Sequence, residues 1–290
     1  MFEGVIVKAY GGFYYVRSPA GDLECTLRGR FRLGRQDILV GDRVGCQTTD
    51  SARGVIEKVH PRATVLTRPP IANINQAVVV FSFVNPRPIA RLLDRILVQV
   101  SFAGITPLVC FNKFDLRERE DAPWPEIYLK AGYRVIVTSA VTGEGVDLLR
   151  QSLQDHNSVL AGPSGTGKSS LLNAVQPDLG LKTDAISRKL KRGKHTTRHV
   201  ELLPLTGGGM VADTPGFSSL TLPDMKREDL GYYFPEFEQY FNRCKFTGCL
   251  HRREPVCGVR QAVEHHVIAR ERYTSYLTFL EEVMQRERRY

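Results

Sequence analysis

The sequence has no apolar run approaching the roughly 20 residues that a helix needs to cross a bilayer. Its opening, Met1-Phe2-Glu3-Gly4-Val5, lacks the basic-then-apolar pattern of a secretory leader. A soluble, cytoplasmic, monomeric protein without membrane contact is expected. Cysteine is scarce, six in 290 residues, and unevenly placed: Cys25, Cys46 and Cys110 stand in strand-like settings, while the other three crowd into residues 244–257. That distribution favours a metal site over a disulfide framework. Apolar residues are plentiful, at 42%, enough for two or three domains to bury real cores.

The net charge of +9 is concentrated. Residues 1–62 carry ten Lys and Arg against seven Asp and Glu, and residues 223–290 carry twelve against eleven. Residues 182–198 hold seven basic residues and one acidic one, with little apolar periodicity. A solvated loop is the ordinary reading of such a run; nucleic-acid phosphate is the partner its charge density suits.

Four short motifs are each suited to a different part of one ligand. The loop Gly162-Pro163-Ser164-Gly165-Thr166-Gly167-Lys168-Ser169, followed by Ser170, lies between a strand-like run, Ser158 to Ala161, and a helical start. Such a loop turns backbone N–H groups toward phosphates, aims Lys168 at the β and γ oxygens and offers the Ser169 hydroxyl to Mg²⁺. Asn112-Lys113-Phe114-Asp115 follows the apolar run Pro107 to Phe111. There the Asp115 carboxylate can accept hydrogen bonds from guanine N1–H and its 2-amino group, with Asn112 and Lys113 stacking on the base and bracing the loops. Thr138-Ser139-Ala140 ends another strand-like run, Arg134 to Val137, and can present the Ala140 N–H to guanine O6. Asp213-Thr214-Pro215-Gly216 supplies the γ-phosphate sensor, and the basic run before it occupies the place of a first switch. A surface turn would explain the tetrad alone, but strand ends are where α/β sheets bind ligands. In an ordinary GTPase the phosphate loop precedes the guanine tetrad. Here the tetrad comes first, so the chain reads as an α/β, circularly permuted Ras-like P-loop GTPase, the chain ends being joined and the chain opened elsewhere.

On either side of this unit the pattern changes. Five short strand candidates between Val5 and Val59 suit an OB-fold β-barrel. Arg28, Arg30, Arg32 and Arg35, interleaved with Phe31, offer cationic and stacking groups for single-stranded nucleic acid, unless the barrel serves only for packing. His60 to Pro70 reads as a linker, and Gln76 to Phe81 as a central strand. Cys244-x4-Cys249-x-His251-x5-Cys257 is the complement of a closed, tetrahedral structural zinc site, with free cysteines beside a surface histidine as the alternative. Val259, Val263, Val267, Tyr273, Leu277, Leu280 and Met284 recur at helical intervals after it, making this last domain mostly helical. His265 and His266 read as surface or packing residues. The resulting division is 1–62 for the RNA-binding barrel, 63–222 for the GTPase domain and 223–290 for the zinc-binding domain.

A barrel, a permuted GTPase domain and this Cys/His module together resemble, over essentially the whole chain, the bacterial small ribosomal subunit biogenesis GTPases of the RsgA (YjeQ/YloQ) family. The resemblance implies a GTPase that binds the small (30S) ribosomal subunit and its rRNA, assists late maturation and is stimulated by the subunit, using GTP/GDP with Mg²⁺ and one structural zinc. It implies zinc on Cys244, Cys249, His251 and Cys257, switch threonines at Thr196 and Thr197, and Mg²⁺ shared by Ser169, Thr197 and Asp213, with Gly216 closing the second switch. The residue after Gly216 is Phe217, where many GTPases carry a glutamine that orients water. His195 is similar to the family's substitute for that glutamine; a contact to RNA phosphate is the equal alternative. With Lys168, Thr196 and Thr197 it makes up the candidate catalytic group. A GTP-controlled RNA-binding module, in which hydrolysis only resets binding, is the nearest rival. A P-loop ATPase or kinase is more distant, because adenine lacks the donors that Asp115 would read.

Overall fold

The computed structural model describes residues 2–19, 21–29, 37–50, 52–67, 69–118, 123–181, 200–212 and 221–288. Five strands, β1 (Phe2–Tyr10), β2 (Phe13–Ser18), β3 (Gly21–Leu27), β4 (Arg43–Thr48) and β5 (Arg53–Val59), close into a barrel in the order β1-β2-β3-β5-β4. The β3–β5 pair is parallel, and the pairing of β1 with β4 closes the ring. Alternation along each strand turns Ile6, Val16, Cys25, Val44, Cys46 and Ile56 into a solvent-free interior. Arg28 lies on this barrel and pairs with Glu57 at 2.7 Å; Arg30, Phe31, Arg32 and Arg35 lie outside the described residues.

The stretch read as a linker is in part a packed hairpin. β6 (Val65–Thr67) pairs with β7 (Pro70–Ala72), and Leu66, Ile71 and Ala72 are buried. The Ala72 N–H donates to the Val40 carbonyl at 2.9 Å, and Arg62 grips the buried Asp42 carboxylate at 2.7 and 2.8 Å. Flanking prolines and arginines conceal the short alternation from a reading by composition.

The second unit is a six-stranded sheet in the order β10-β9-β8-β11-β13-β12. Its strands are β8 (Gln76–Ser82), β9 (Thr106–Asn112), β10 (Arg134–Val137), β11 (Asn157–Ala161), β12 (Leu202–Pro204) and β13 (Met210–Ala212). All pair in parallel except the edge strand β12. Every residue of β8 is buried, as a central strand covered on both faces requires. Ala77, Val79 and Phe81 pack with helices α1 (Ala90–Phe102) and α2 (Trp124–Lys130); Val78 and Val80 pack with α3 (Val146–Leu153) and α4 (Lys168–Val175). Strand periodicity thus divides one run of apolar residues between two cores.

The third unit has 3₁₀ turns at Leu230–Tyr233 and Pro235–Arg243, then α5 (Gly258–Glu264) and α6 (Arg270–Glu287). The helical stretch expected from the sequence is interrupted at residues 265–269, where His265 and His266 are exposed and Val267 is 55% exposed. Within α6 the deepest apolar side chains are Tyr276, Phe279, Leu280 and Val283; of these Leu280 was expected, while Tyr276, Phe279 and Val283 each lie one residue before an expected position. Aromatic rings set the phase: Phe234 lies 5.3 Å from Tyr276, and Phe237 lies 5.0 Å from it. Among the described residues no helix is long and apolar enough to cross a membrane.

Candidate active site and metal centre

Parallel pairing brings the carboxyl ends of β10, β9 and, across β8, β11 to one edge of the sheet, and with them three of the four motifs. Asn112, the last residue of β9, is 1% exposed and acts as the brace. Its Nδ2 donates to the Thr166 carbonyl of the phosphate loop at 2.9 Å. Its Oδ1 accepts from the Thr138 hydroxyl at 3.2 Å and from the Ala140 N–H at 3.3 Å. The Ala140 N–H, assigned to guanine O6 from the sequence, is therefore engaged by Asn112 through a long bond. Lys113 takes a left-handed conformation (φ 63°) and donates from Nζ to the Asn85 carbonyl in the loop after β8. Asp115 is exposed on one side and held on the other by the buried Ser139 hydroxyl, which donates to Oδ1 at 2.6 Å. The Thr142 N–H in turn donates to that hydroxyl at 3.1 Å. The carboxylate is oriented, and its accepting capacity still faces outward.

The phosphate loop leaves β11 and enters α4 at Lys168. Lys168 is buried, its ammonium donating to the Gly162 carbonyl at 3.0 Å and the Pro163 carbonyl at 2.8 Å. A cation is thereby held within the loop, where it can meet anionic oxygens together with the N–H groups that open α4. Two glycines are sterically required. Gly162 (φ 134°) lies so close to β8 that a Cβ would overlap the Val80 carbonyl oxygen, and a Cβ on Gly167 (φ 89°) would overlap Asn112 Nδ2. Gly167→Ala is accordingly expected to break the bond from Asn112 to Thr166 and weaken guanine-nucleotide binding about tenfold or more, by the usual cost of stranding a buried polar group. A titration with a fluorescent GDP analogue checks this; wild-type affinity would refute the bracing role.

Cys244, Cys249, His251 and Cys257 converge with all four donor atoms within 4.8 Å of one another. Cys244 Sγ lies 3.6 Å from His251 Nδ1 and 3.9 Å from Cys257 Sγ, and His251 Nδ1 lies 3.3 Å from Cys257 Sγ. Tetrahedral zinc, with bonds of about 2.3 Å to sulfur and 2.0 Å to nitrogen, needs donor separations of roughly 3.5–3.8 Å. The cluster fits. Burial pushes the Cys249 thiol up to about 12 and the His251 imidazole down. A dication would offset the first effect and bind the neutral ring favoured by the second. The sequence reading missed the supports. His251 stacks on Phe241 at 5.3 Å, and the Tyr273 and Tyr276 hydroxyls donate to the His251 and Leu250 carbonyls at 2.6 and 2.8 Å. The Glu254 carboxylate accepts from the Leu250, Arg252 and Arg253 N–H groups. Phe241 and Glu254 lie close to the ligands in the sequence, and Tyr273 carries the helical-interval signal, but nothing local marks any of them as a support for the cluster.

Ser169 and Ser170 stand in the first turn of α4 behind the loop, as expected. His195, Thr196, Thr197, Asp213, Gly216 and Phe217 lie outside the described residues, as does the basic run at 182–198.

A family model described as RsgA GTPase matches residues 59–223, and one described as RsgA N-terminal domain matches residues 3–56. The chain is 50% identical over 286 residues to the small ribosomal subunit biogenesis GTPase RsgA of Moorella thermoacetica, covering 99% of each chain. It is 51% identical to the protein of that name from Geobacillus kaustophilus, covering 100% of both. Among solved structures it resembles YjeQ from Thermotoga maritima, with a TM-score of 0.86, 37% identity and 98% of each chain covered. It also resembles YloQ, a circularly permuted GTPase, with a TM-score of 0.82, 42% identity, and 99% and 96% covered.

Proposed function

The chain belongs to the RsgA GTPase family and is a GTP hydrolase, and from that premise we propose that it binds the small (30S) ribosomal subunit and its rRNA, assists late maturation of that subunit and turns over GTP faster when bound to it. The observation carrying the nucleotide reading is the Asn112 brace, which locks the candidate base-reading loop to the phosphate loop. In this reading Asp115, Lys113, Ser139 and Ala140 receive the base, and residues 162–170 receive the phosphates. Lys168 neutralises charge developing on the γ-phosphate; Ser169, Thr197 and Asp213 share Mg²⁺. His195, with Thr196 and Thr197 beside it, orients the attacking water in place of the glutamine that Phe217 replaces. Cys244, Cys249, His251 and Cys257 hold one structural zinc, which contributes folding free energy to a monomeric protein.

The partner reading is supported by relatives named as small ribosomal subunit biogenesis GTPases, by exposed aromatic side chains on the barrel and by a basic run in the sequence. Tyr10 and Phe13 stand 60% and 42% exposed at the β1–β2 turn of the barrel, where stacking on bases is sequence-tolerant. The basic run at 182–198 supplies phosphate contacts.

GTP turnover measured with and without purified small subunits tests the proposal. A large rise is expected, whereas no rise would leave a GTP-controlled RNA-binding module whose hydrolysis only resets binding. In a binding assay with the same subunits, neutralising Arg188, Lys189, Lys191 and Arg192 together is expected to weaken the complex and flatten its salt dependence. Each lost phosphate contact should reduce the logarithmic slope by roughly 0.7 to 0.9. Wild-type affinity and slope in that variant would exclude the run from the interface.

A further inference from the structure

Arg272 of α6 is a charged side chain, 1% exposed, buried between the C-terminal module and the GTPase domain. Its Nε and Nη2 donate to the two Glu236 oxygens at 2.7 and 3.0 Å, and its Nη1 donates to Asp94 Oδ1 on α1 at 2.5 Å. Nη2 also reaches the Tyr133 hydroxyl, just before β10, at 3.3 Å. The guanidinium carbon sits 4.7 Å from the Phe234 ring, 5.2 Å from Tyr133 and 5.4 Å from Tyr128 on α2. Tyr128 donates its hydroxyl to the same Asp94 oxygen at 2.8 Å. A side chain from the metal-binding module thus joins three elements of the nucleotide domain.

From Tyr128 a column of rings runs to the candidate base site. Tyr128 lies 6.0 Å from Phe111, the residue before Asn112. Phe111 lies 5.7 Å from Phe83, and Phe83 lies 5.7 Å from Phe114, which stands between Lys113 and Asp115. Two residues beyond Phe83, the Asn85 carbonyl receives Lys113. Close-packed rings transmit displacement because no free volume absorbs it. A buried ion cluster does not hold a module in place better than an apolar contact of equal volume would; what it adds is one fixed geometry.

Building on the guanine reading above, we propose that Arg272 is a positioning residue for guanine recognition, lent by the C-terminal module and acting on the Asn112–Asp115 loop through Tyr128, Phe111 and Phe83. By linkage, base occupancy and the seating of α6 strengthen each other.

The test compares GDP with IDP, which lacks the 2-amino group that Asp115 would read, using full-length, zinc-loaded protein. In Arg272→Met, GDP affinity is expected to fall about three- to thirtyfold, IDP affinity to fall less, and the KM for GTP to rise more than kcat falls. An equal loss for both nucleotides, or a wild-type ratio, would make Arg272 an anchor alone and overturn the proposal. If Arg272→Met does not fold, the same ratio is measured in Tyr128→Leu, which keeps all three charges: a reduced preference for GDP supports the proposal, and an unchanged one overturns it. A wild-type protein with no preference for GDP over IDP would instead remove the guanine reading, and this inference with it.

Discussion

Asp115→Asn is expected to bind GTP on the order of a hundredfold more weakly than the wild type and to favour xanthosine nucleotides. The carboxylate is held by Ser139 at 2.6 Å with its remaining accepting capacity exposed, the arrangement needed to receive guanine N1–H and the 2-amino group. Hydrogen bonds to a charged group are worth about 1.5–3 kcal/mol each, and a donor facing a donor loses more than the bond. An asparagine amide can turn its NH2 toward the base, where xanthine offers a carbonyl oxygen in place of the amino group. Ser139 remains able to donate to the amide oxygen, so the loop should keep its shape. Competition between GTP and XTP for the variant checks this; unchanged GTP affinity would remove Asp115 from base recognition.

Freshly purified protein is expected to carry one zinc per chain, and removing that zinc should unfold the C-terminal module. In zinc-finger peptides the metal supplies about 10–16 kcal/mol of folding free energy. Here the loops between the ligands contain little apolar core of their own, and the buried His251 and Cys257 tie them to the aromatic core of the module. From sequence alone the module looks separable, with GTP binding surviving its loss. The position of Arg272 changes that expectation: unseating α6 withdraws a cation from Asp94, Tyr128 and Tyr133, so chelation should also weaken GDP binding. Elemental analysis, far-UV circular dichroism and GDP titration before and after chelation read the three effects. Protein purified without zinc, or an unchanged helical signal after its removal, would disprove the structural role.

The buried Arg272–Asp94–Glu236 cluster was not legible in the sequence. Asp94 sits on α1, whose other buried positions are apolar, and a charged residue in an amphipathic stretch is normally read as solvent-facing. Arg272 likewise resembles any basic residue in the first turn of a helix. Only the carboxylates and rings contributed by both units create a site that gives a buried guanidinium partners for its charge and its N–H groups. The expected stripe on α6, Tyr273, Leu277, Leu280 and Met284, does pack on the core, but its deepest line runs through Tyr276, Phe279 and Val283 because Phe234 and Phe237, outside the helix, select which face is covered most.

The candidate phosphate loop, guanine tetrad and metal-ligand set, and the permuted order in which they occur, were legible in the sequence alone. Each motif consists of a few residues close in sequence whose types and spacing suit one ligand, and their order along the chain is visible directly. Which of them meet was decided only by the tertiary structure. Asn112 reaches Thr166 across 54 residues and Arg272 reaches Asp94 across 178, because parallel strand pairing and the burial of aromatic surface select partners by shape, and shape is absent from local spacing.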